Sequence, residues 1–156
     1  MNDFYTGVVR TVAALIDGER NAVANMANVA AQLGSTIPDI NWAGFYLPDG
    51  SSGLVLGPFW GKPACIRIGP GKGVCGKAAA ERITVVVDDV LAWPDHIACD
   101  AASRSEIAIP ILSGDKLVGI LDVDSPSLGR FTDDDRRGLE TVAQCIGNGC
   151  DWQMSR

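Results

Sequence analysis

The chain has one histidine, and none of its five cysteines forms the closely spaced CxxC pair of a zinc site. No apolar run approaches the roughly 20 residues that cross a bilayer, so no membrane-spanning helix is expected. The N-terminal stretch MNDFYTGVVRTVAALIDGER carries an acid, and no basic leader, before its apolar residues. It is therefore not read as a signal peptide, and a cytoplasmic location is expected. Basic charge is in deficit, with 13 Lys and Arg against 19 Asp and Glu for a net charge of -6. That balance argues against nucleic acid and anionic membranes as partners. Internal repeats, low-complexity tracts and linkers are also missing. In a reducing compartment five cysteines point to metal binding, catalysis or packing rather than to a disulfide scaffold.

What is present fits one compact domain spanning residues 1–156. Phe4, Val8, Val12 and Leu15 fall at helical spacing, as do Val23, Met26, Ala30 and Leu33, with Gly34 as a stop for the second helix. After Pro38 the character changes. Alternation over Trp42–Leu47, the turn Pro48-Asp49-Gly50-Ser51 and the run Leu54–Phe59 read as a hairpin. Ala64–Ile68 reads as a short strand, Val74–Glu81 as a short helix and Ile83–Val87 as a buried strand. Leu91–Arg104 has no clear period and holds His96 and Cys99. Glu106–Leu112 and Lys116–Asp124 flank the turn Ser113-Gly114-Asp115 as a second hairpin. Thr132 with Asp135 caps a closing helix through Leu139, Val142, Ala143 and Ile146. This order predicts an α+β fold, an antiparallel sheet with helices packed on one face.

Three constellations could carry chemistry. Gly71-Lys72-Gly73-Val74-Cys75-Gly76 matches GxGxxG, but the short helix after it and the later hairpin contradict a dinucleotide fold. A tight turn into a helix is the better reading, with anion binding by its backbone amides left open. Cys65, Cys75 and Cys99 form the second set. Cys75 sits at a helix start, which would lower its pKa. Cys99 follows His96 by three residues but has Asp95 and Asp100 beside it. Local sequence does not choose the nucleophile among them. Their separations of 10 and 24 residues disfavour a zinc site built from these cysteines and His96. Cys145 and Cys150, in the closing helix, read as packing. Third, Asp122 and Asp124 share one face of a strand, and Glu106 opens the neighbouring strand. In a dry site such a set would raise a pKa and hold a proton or a cation. Taken alone, the pair reads as a solvated strand end running into Ser125-Pro126.

The segments NWAGFYL, LGPFWGKPACIRI, GKGVCG, HIACDAASRSEIAIPI, GILDVDSP and GRFTDDD together resemble the free methionine-(R)-sulfoxide reductases, a family of GAF-domain enzymes. The match runs from about Asn41 to Asp135, and the order and spacing of the segments are specific. The resemblance implies a GAF-type antiparallel sheet with helices on one side, and a homodimer formed through the terminal helices. It implies reduction of free methionine sulfoxide, with thioredoxin recycling the enzyme and with no metal or organic cofactor. By resemblance Cys99 is the catalytic cysteine, Cys65 the resolving partner and Cys75 a third redox-active candidate. Trp42 and Tyr46 would line the pocket for the substrate methyl group. Glu106, Asp122 and Asp124 would bind the sulfoxide oxygen or the substrate ammonium. Preference for the R epimer is implied in the same way. Two positions depart from the family pattern. Trp60 stands where glutamine is usual and is expected to alter access to the pocket. Asp95 stands where glycine is usual and is expected to raise the pKa of Cys99. A non-catalytic GAF sensor and a cysteine redox switch remain the alternative functions.

Overall fold

The computed structural model describes residues 1–94, 96 and 99–154. Asp95, and with it the expected effect on Cys99, lies outside the described residues.

Helix α1 spans Asp3–Ile16, and the Asn2 side chain accepts a hydrogen bond from the Tyr5 N–H at 3.0 Å. Its buried stripe is Tyr5, Val8, Val12 and Ile16. The stripe therefore begins and ends one residue after Phe4 and Leu15, which stay exposed. Helix α2 spans Ala22–Thr36 and is capped by Asn21 in the same way. Gly34 does not end it. The helix stops at Ile37, before Pro38, because a residue preceding proline is pushed out of the helical region. Gly34 instead admits the Trp60 ring, which would lie 2.1 Å from a Cβ built at that position. The last long helix, α4 (Asp133–Gly149), opens with the expected capping box between Thr132 and Asp135. Among the described residues no helix is long and apolar enough to cross a membrane.

Among the described residues six strands make one sheet: β1 (Trp42–Pro48), β2 (Leu54–Gly61), β3 (Arg67–Ile68), β4 (Val85–Val87), β5 (Ser105–Ser113) and β6 (Lys116–Ser125). The order across the sheet is β3-β2-β1-β6-β5-β4, and every pairing is antiparallel. The α+β expectation holds. Two strands are shorter than expected: residues 64–66 belong to a loop, and β4 begins only at Val85.

Strand alternation sends two sets of side chains to opposite faces. Ala43, Phe45, Ile107, Ile109, Leu121 and Val123 pack against α1, α2 and α4 in the main core. The other face carries Trp42, Tyr46, Ala108 and Ile120 in a smaller apolar cluster. That face is covered by the short helix α3 (Gly73–Glu81), through Val74, Cys75 and Ala78. The three long helices thus share one face, and α3 takes the face that carries the candidate residues.

The segment GRFTDDD serves the main core. The Tyr5 hydroxyl donates to Asp135 Oδ1 at 2.6 Å, and Arg130 donates to Asp135 Oδ2 at 2.8 Å. One carboxylate therefore ties α1, the loop before α4 and the capping box together.

Candidate active site

Register places the acidic residues in adjacent positions. Trp42, Asp124, Glu106 and Val87 form one row across β1, β6, β5 and β4. Gly44, Asp122, Ala108 and Val85 form the next row. All point to the α3 face. Like charges directly opposite one another destabilise a sheet, so this set is not there for stability.

The reading of Asp122 and Asp124 as a solvated strand end is overturned. Asp122 is 4% exposed and Glu106 8%, because α3 and the loops beside it roof this end of the sheet. Asp124 is partly exposed at the rim. Burial is the first cause that holds all three carboxyl groups well above the usual carboxylate range. Mutual repulsion is the second: Asp122 acts on Glu106, Asp124 on Asp122 and Glu106 on Asp124. Asp122 Oδ1 is buried with no hydrogen-bond partner.

Cys75 lies in the first turn of α3, 4% exposed, with its Sγ 3.9 Å from Glu106 Oε2. Position at a helix start suggested a low pKa. The opposite holds, because burial and then the charges of Asp122 and Glu106 push the thiol up. The sulfur of Cys75 and one carboxylate oxygen each from Glu106 and Asp122 all lie within 4.8 Å of one another. These are the residues that could hold a cation.

Cys65 and Cys99 are joined by a disulfide, with Cα atoms 5.4 Å apart. Both are half-buried. Cys65 sits in the loop before β3, and that loop is fixed by two aromatic side chains from the sheet. Trp42 Nε1 donates to the Lys62 carbonyl at 3.1 Å, and the Tyr46 hydroxyl donates to the Cys65 carbonyl at 2.9 Å. Trp42 itself stacks on Tyr46 and Phe59, at centroid distances of 6.0 and 5.3 Å. Gly44 makes this possible, since a Cβ there would meet Phe59 at 2.4 Å and the Trp42 ring at 2.8 Å.

Cys99 comes from the loop between β4 and β5. Asp100, next to it, accepts from the Ala102 N–H and from Asn41 Nδ2, which also donates to Ser103 Oγ. His96 Nε2 is 3.8 Å from Glu106 Oε1, and burial lowers its pKa, favouring the neutral ring.

One cavity gathers this chemistry. Its lining includes Trp42, Tyr46, Cys75, Cys99, Glu106, Asp122 and Asp124, together with His96, Asp100 and Lys72. Of the eight candidates named from sequence, only Cys65 is not on the wall, and its disulfide joins it to Cys99, which is. Asn41 is not singled out by the sequence, which has Asp100 and His96 only as neighbours of Cys99 and His96 as a disfavoured zinc ligand. The single available signal was their place in the NWAGFYL and HIACD segments. Trp60 is not in the lining. It pairs with Ala43 and faces α2, so the expected effect on pocket access is corrected. The GxGxxG run is a turn into α3: Gly71 and Gly73 take positive φ, and a Cβ on Gly76 would meet Gly71 backbone at 2.8 Å. A second, wider groove beside Arg82, Pro110 and Glu140 holds none of the candidate residues.

The GAF domain family model matches residues 2–149. The chain is 49% identical over 143 residues to the free methionine-R-sulfoxide reductase of Escherichia coli, covering 91% of this chain and 86% of that protein. It is 44% identical to the Saccharomyces cerevisiae protein of the same name, covering 87% and 79%. Its fold superposes with a TM-score of 0.88 on the X-ray structure of free methionine-R-sulfoxide reductase from Neisseria meningitidis in complex with its substrate. There the identity is 45%, over 92% of this chain and 86% of that one.

Proposed function

The chain belongs to the free methionine-R-sulfoxide reductases of the GAF domain family, and on that premise we propose that it reduces free methionine (R)-sulfoxide with Cys99 as nucleophile. The observation that carries the reading is the disulfide from Cys65 to Cys99, which lines a cavity walled by three carboxyl groups.

In the reduced enzyme the Cys99 thiolate attacks the sulfoxide sulfur. The sulfoxide oxygen needs a proton before its bond to the substrate sulfur can break, and burial with mutual repulsion raises the pKa values of Glu106 and Asp122 toward the form that donates one. The protonated oxygen passes from the substrate sulfur to Cys99 Sγ as the transient sulfur–sulfur bond breaks, so methionine departs and Cys99 is left as a sulfenic acid. The Cys65 thiol then attacks Cys99 Sγ. Water leaves and the disulfide forms. An external dithiol, with thioredoxin the proposed donor, returns both cysteines to thiols by exchange. No metal or organic cofactor enters these steps.

Cys75 is suited to remain a thiol through the cycle, because its surroundings oppose its ionisation. Trp42 and Tyr46 give the substrate methyl group an aromatic wall. The partly exposed Asp124 is placed to hold the substrate ammonium, and the uncapped first turn of α3 beside Lys72 suits the carboxylate. A free amino acid presents both charges, whereas a peptide-bound residue presents neither. Association as a homodimer through the terminal helices is part of the proposal, and the exposed Phe4, Leu15 and Val23 on α1 and α2 support it.

The test is NADPH consumption with thioredoxin, thioredoxin reductase and each methionine sulfoxide epimer, free and peptide-bound. Turnover is expected only with the free R epimer, and Cys99→Ser should lose even a single turnover. Methionine release at the wild-type rate by Cys99→Ser would overturn the assignment. No turnover with any of the four substrates would leave a ligand-binding GAF module instead.

A further inference from the structure

We propose that Cys75, Glu106 and Asp122 form a binding site for a thiophilic divalent cation of the zinc class, and that the bound cation closes the carboxyl end of the cavity to substrate. The three donors come from three elements, α3, β5 and β6, and converge within 4.8 Å. Each is more than nine-tenths buried. Asp122, which lines the cavity, supplies the independent sign of a missing ligand: its Oδ1 is buried and accepts no hydrogen bond. A buried carboxylate oxygen without a partner is costly, and a coordinated cation would offset that cost.

The geometry is close to what zinc needs. Bond lengths near 2.0 Å to oxygen and 2.3 Å to sulfur put tetrahedral ligands roughly 3.3–3.5 Å apart. The cluster therefore has to contract by about 1 Å, within the reach of side-chain torsions. The donor set selects the metal. One sulfur and two carboxylate oxygens suit zinc, cadmium or cobalt(II), whereas magnesium and calcium require oxygen alone. His96 Nε2, 3.8 Å from Glu106 Oε1 and in the same wall, is a further nitrogen donor beside the cluster. The set differs from the widely spaced cysteines that sequence spacing argued against, and strand register assembles it.

Binding displaces the Cys75 thiol proton and the protons held on Glu106 and Asp122 to solvent, and the cation occupies both carboxylates. Both are then lost as proton donors to the sulfoxide oxygen. The competition with substrate rests on the reductase reading above; the cation site itself does not.

The experiment uses the full chain with the Cys65–Cys99 disulfide intact, so that those two sulfurs cannot contribute. Titration with cadmium(II) should give a thiolate-to-cadmium charge-transfer band that saturates at one equivalent. Cys75→Ala and Cys75→Ser should lose the band. Asp122→Asn should weaken cadmium and zinc binding by at least about tenfold. A Cys145→Ser/Cys150→Ser double variant should keep the band. On the reduced enzyme, zinc(II) should raise the KM for methionine sulfoxide and leave kcat unchanged. A wild-type protein without the band overturns the site, as does a band that persists in Cys75→Ala. A reductase lacking the band loses this inference alone; a protein with the band but no turnover keeps the site and loses the reductase reading.

Discussion

Replacing Asp122 with asparagine should raise stability and lower activity together. Asp122 is held well above the usual carboxylate range by burial and then by Asp124, and its Oδ1 has no partner. Exchanging a buried carboxyl group, whose ionised form the fold disfavours, for a neutral amide of the same shape gains about 1–4 kcal/mol. At roughly 2–4 °C per kcal/mol for a chain of this size, a gain of about 2 kcal/mol raises Tm by about 4–8 °C. The sign depends on pH. A carboxyl whose folded pKa is raised binds its proton more tightly in the native state. Its stabilising contribution is complete below the unfolded value near 3.9 and is lost as pH rises through the folded value. The advantage of Asp122→Asn should therefore vanish near pH 4 and grow through neutral pH. Differential scanning calorimetry of both proteins from pH 4 to pH 8, in one redox state, measures this. Over the same range kcat/KM for methionine sulfoxide should fall by about 10²-fold or more if Asp122 supplies the proton. A variant less stable than wild type at every pH, or a Tm difference that ignores pH, would refute the buried-charge reasoning.

Three further outcomes are expected. Cys65→Ser should release one equivalent of methionine in a single-turnover assay but slow thioredoxin-coupled cycling, because no resolving thiol remains to meet the Cys99 sulfenic acid. Asp135→Ala should lower stability by about 3 kcal/mol in denaturant titrations, since it strips partners from the Tyr5 hydroxyl and the Arg130 guanidinium and removes half of the capping box. Trp60→Gln should leave kcat and KM unchanged, because the ring packs on Gly34 of α2, across the sheet from the cavity. A shifted KM would show that the helix face communicates with the site.

Period and punctuation carried much of the fold. The apolar spacings of α1, α2 and α4, the turn at Ser113-Gly114-Asp115 and the Thr132/Asp135 cap were all legible, because each depends on residues within a few positions of one another. The failures lie where a distant partner decides. Gly34 has the local signature of a stop, but its size answers to Trp60 on β2. Asp122 and Asp124 were correctly given one face, yet a strand pattern does not say whether that face is roofed. Here α3 roofs it. The same roof inverts the expectation for Cys75: the helix start favours a thiolate, but burial and two carboxylates outweigh it. The sequence places His96 beside Cys99 and offers it as a disfavoured zinc ligand, whereas its approach to Glu106 comes from a loop closing onto a strand.

The two faces of the sheet do opposite work. On one, Phe45, Ile107, Leu121 and Val123 meet three long helices in an apolar core. On the other, Asp124 and Glu106 stand directly opposite each other, with Asp122 in the next row. A sheet tolerates that repulsion only if its reverse side supplies enough apolar burial. Side chains alternate, so each β5 and β6 residue that packs the main core separates two that face the cavity. A one-residue slip of β6 would therefore bury Asp122 and Asp124 among Phe45 and Leu139 and send Leu121 and Val123 toward the cavity. Main-core packing thereby holds the register that keeps the three carboxyl groups together, despite their mutual repulsion.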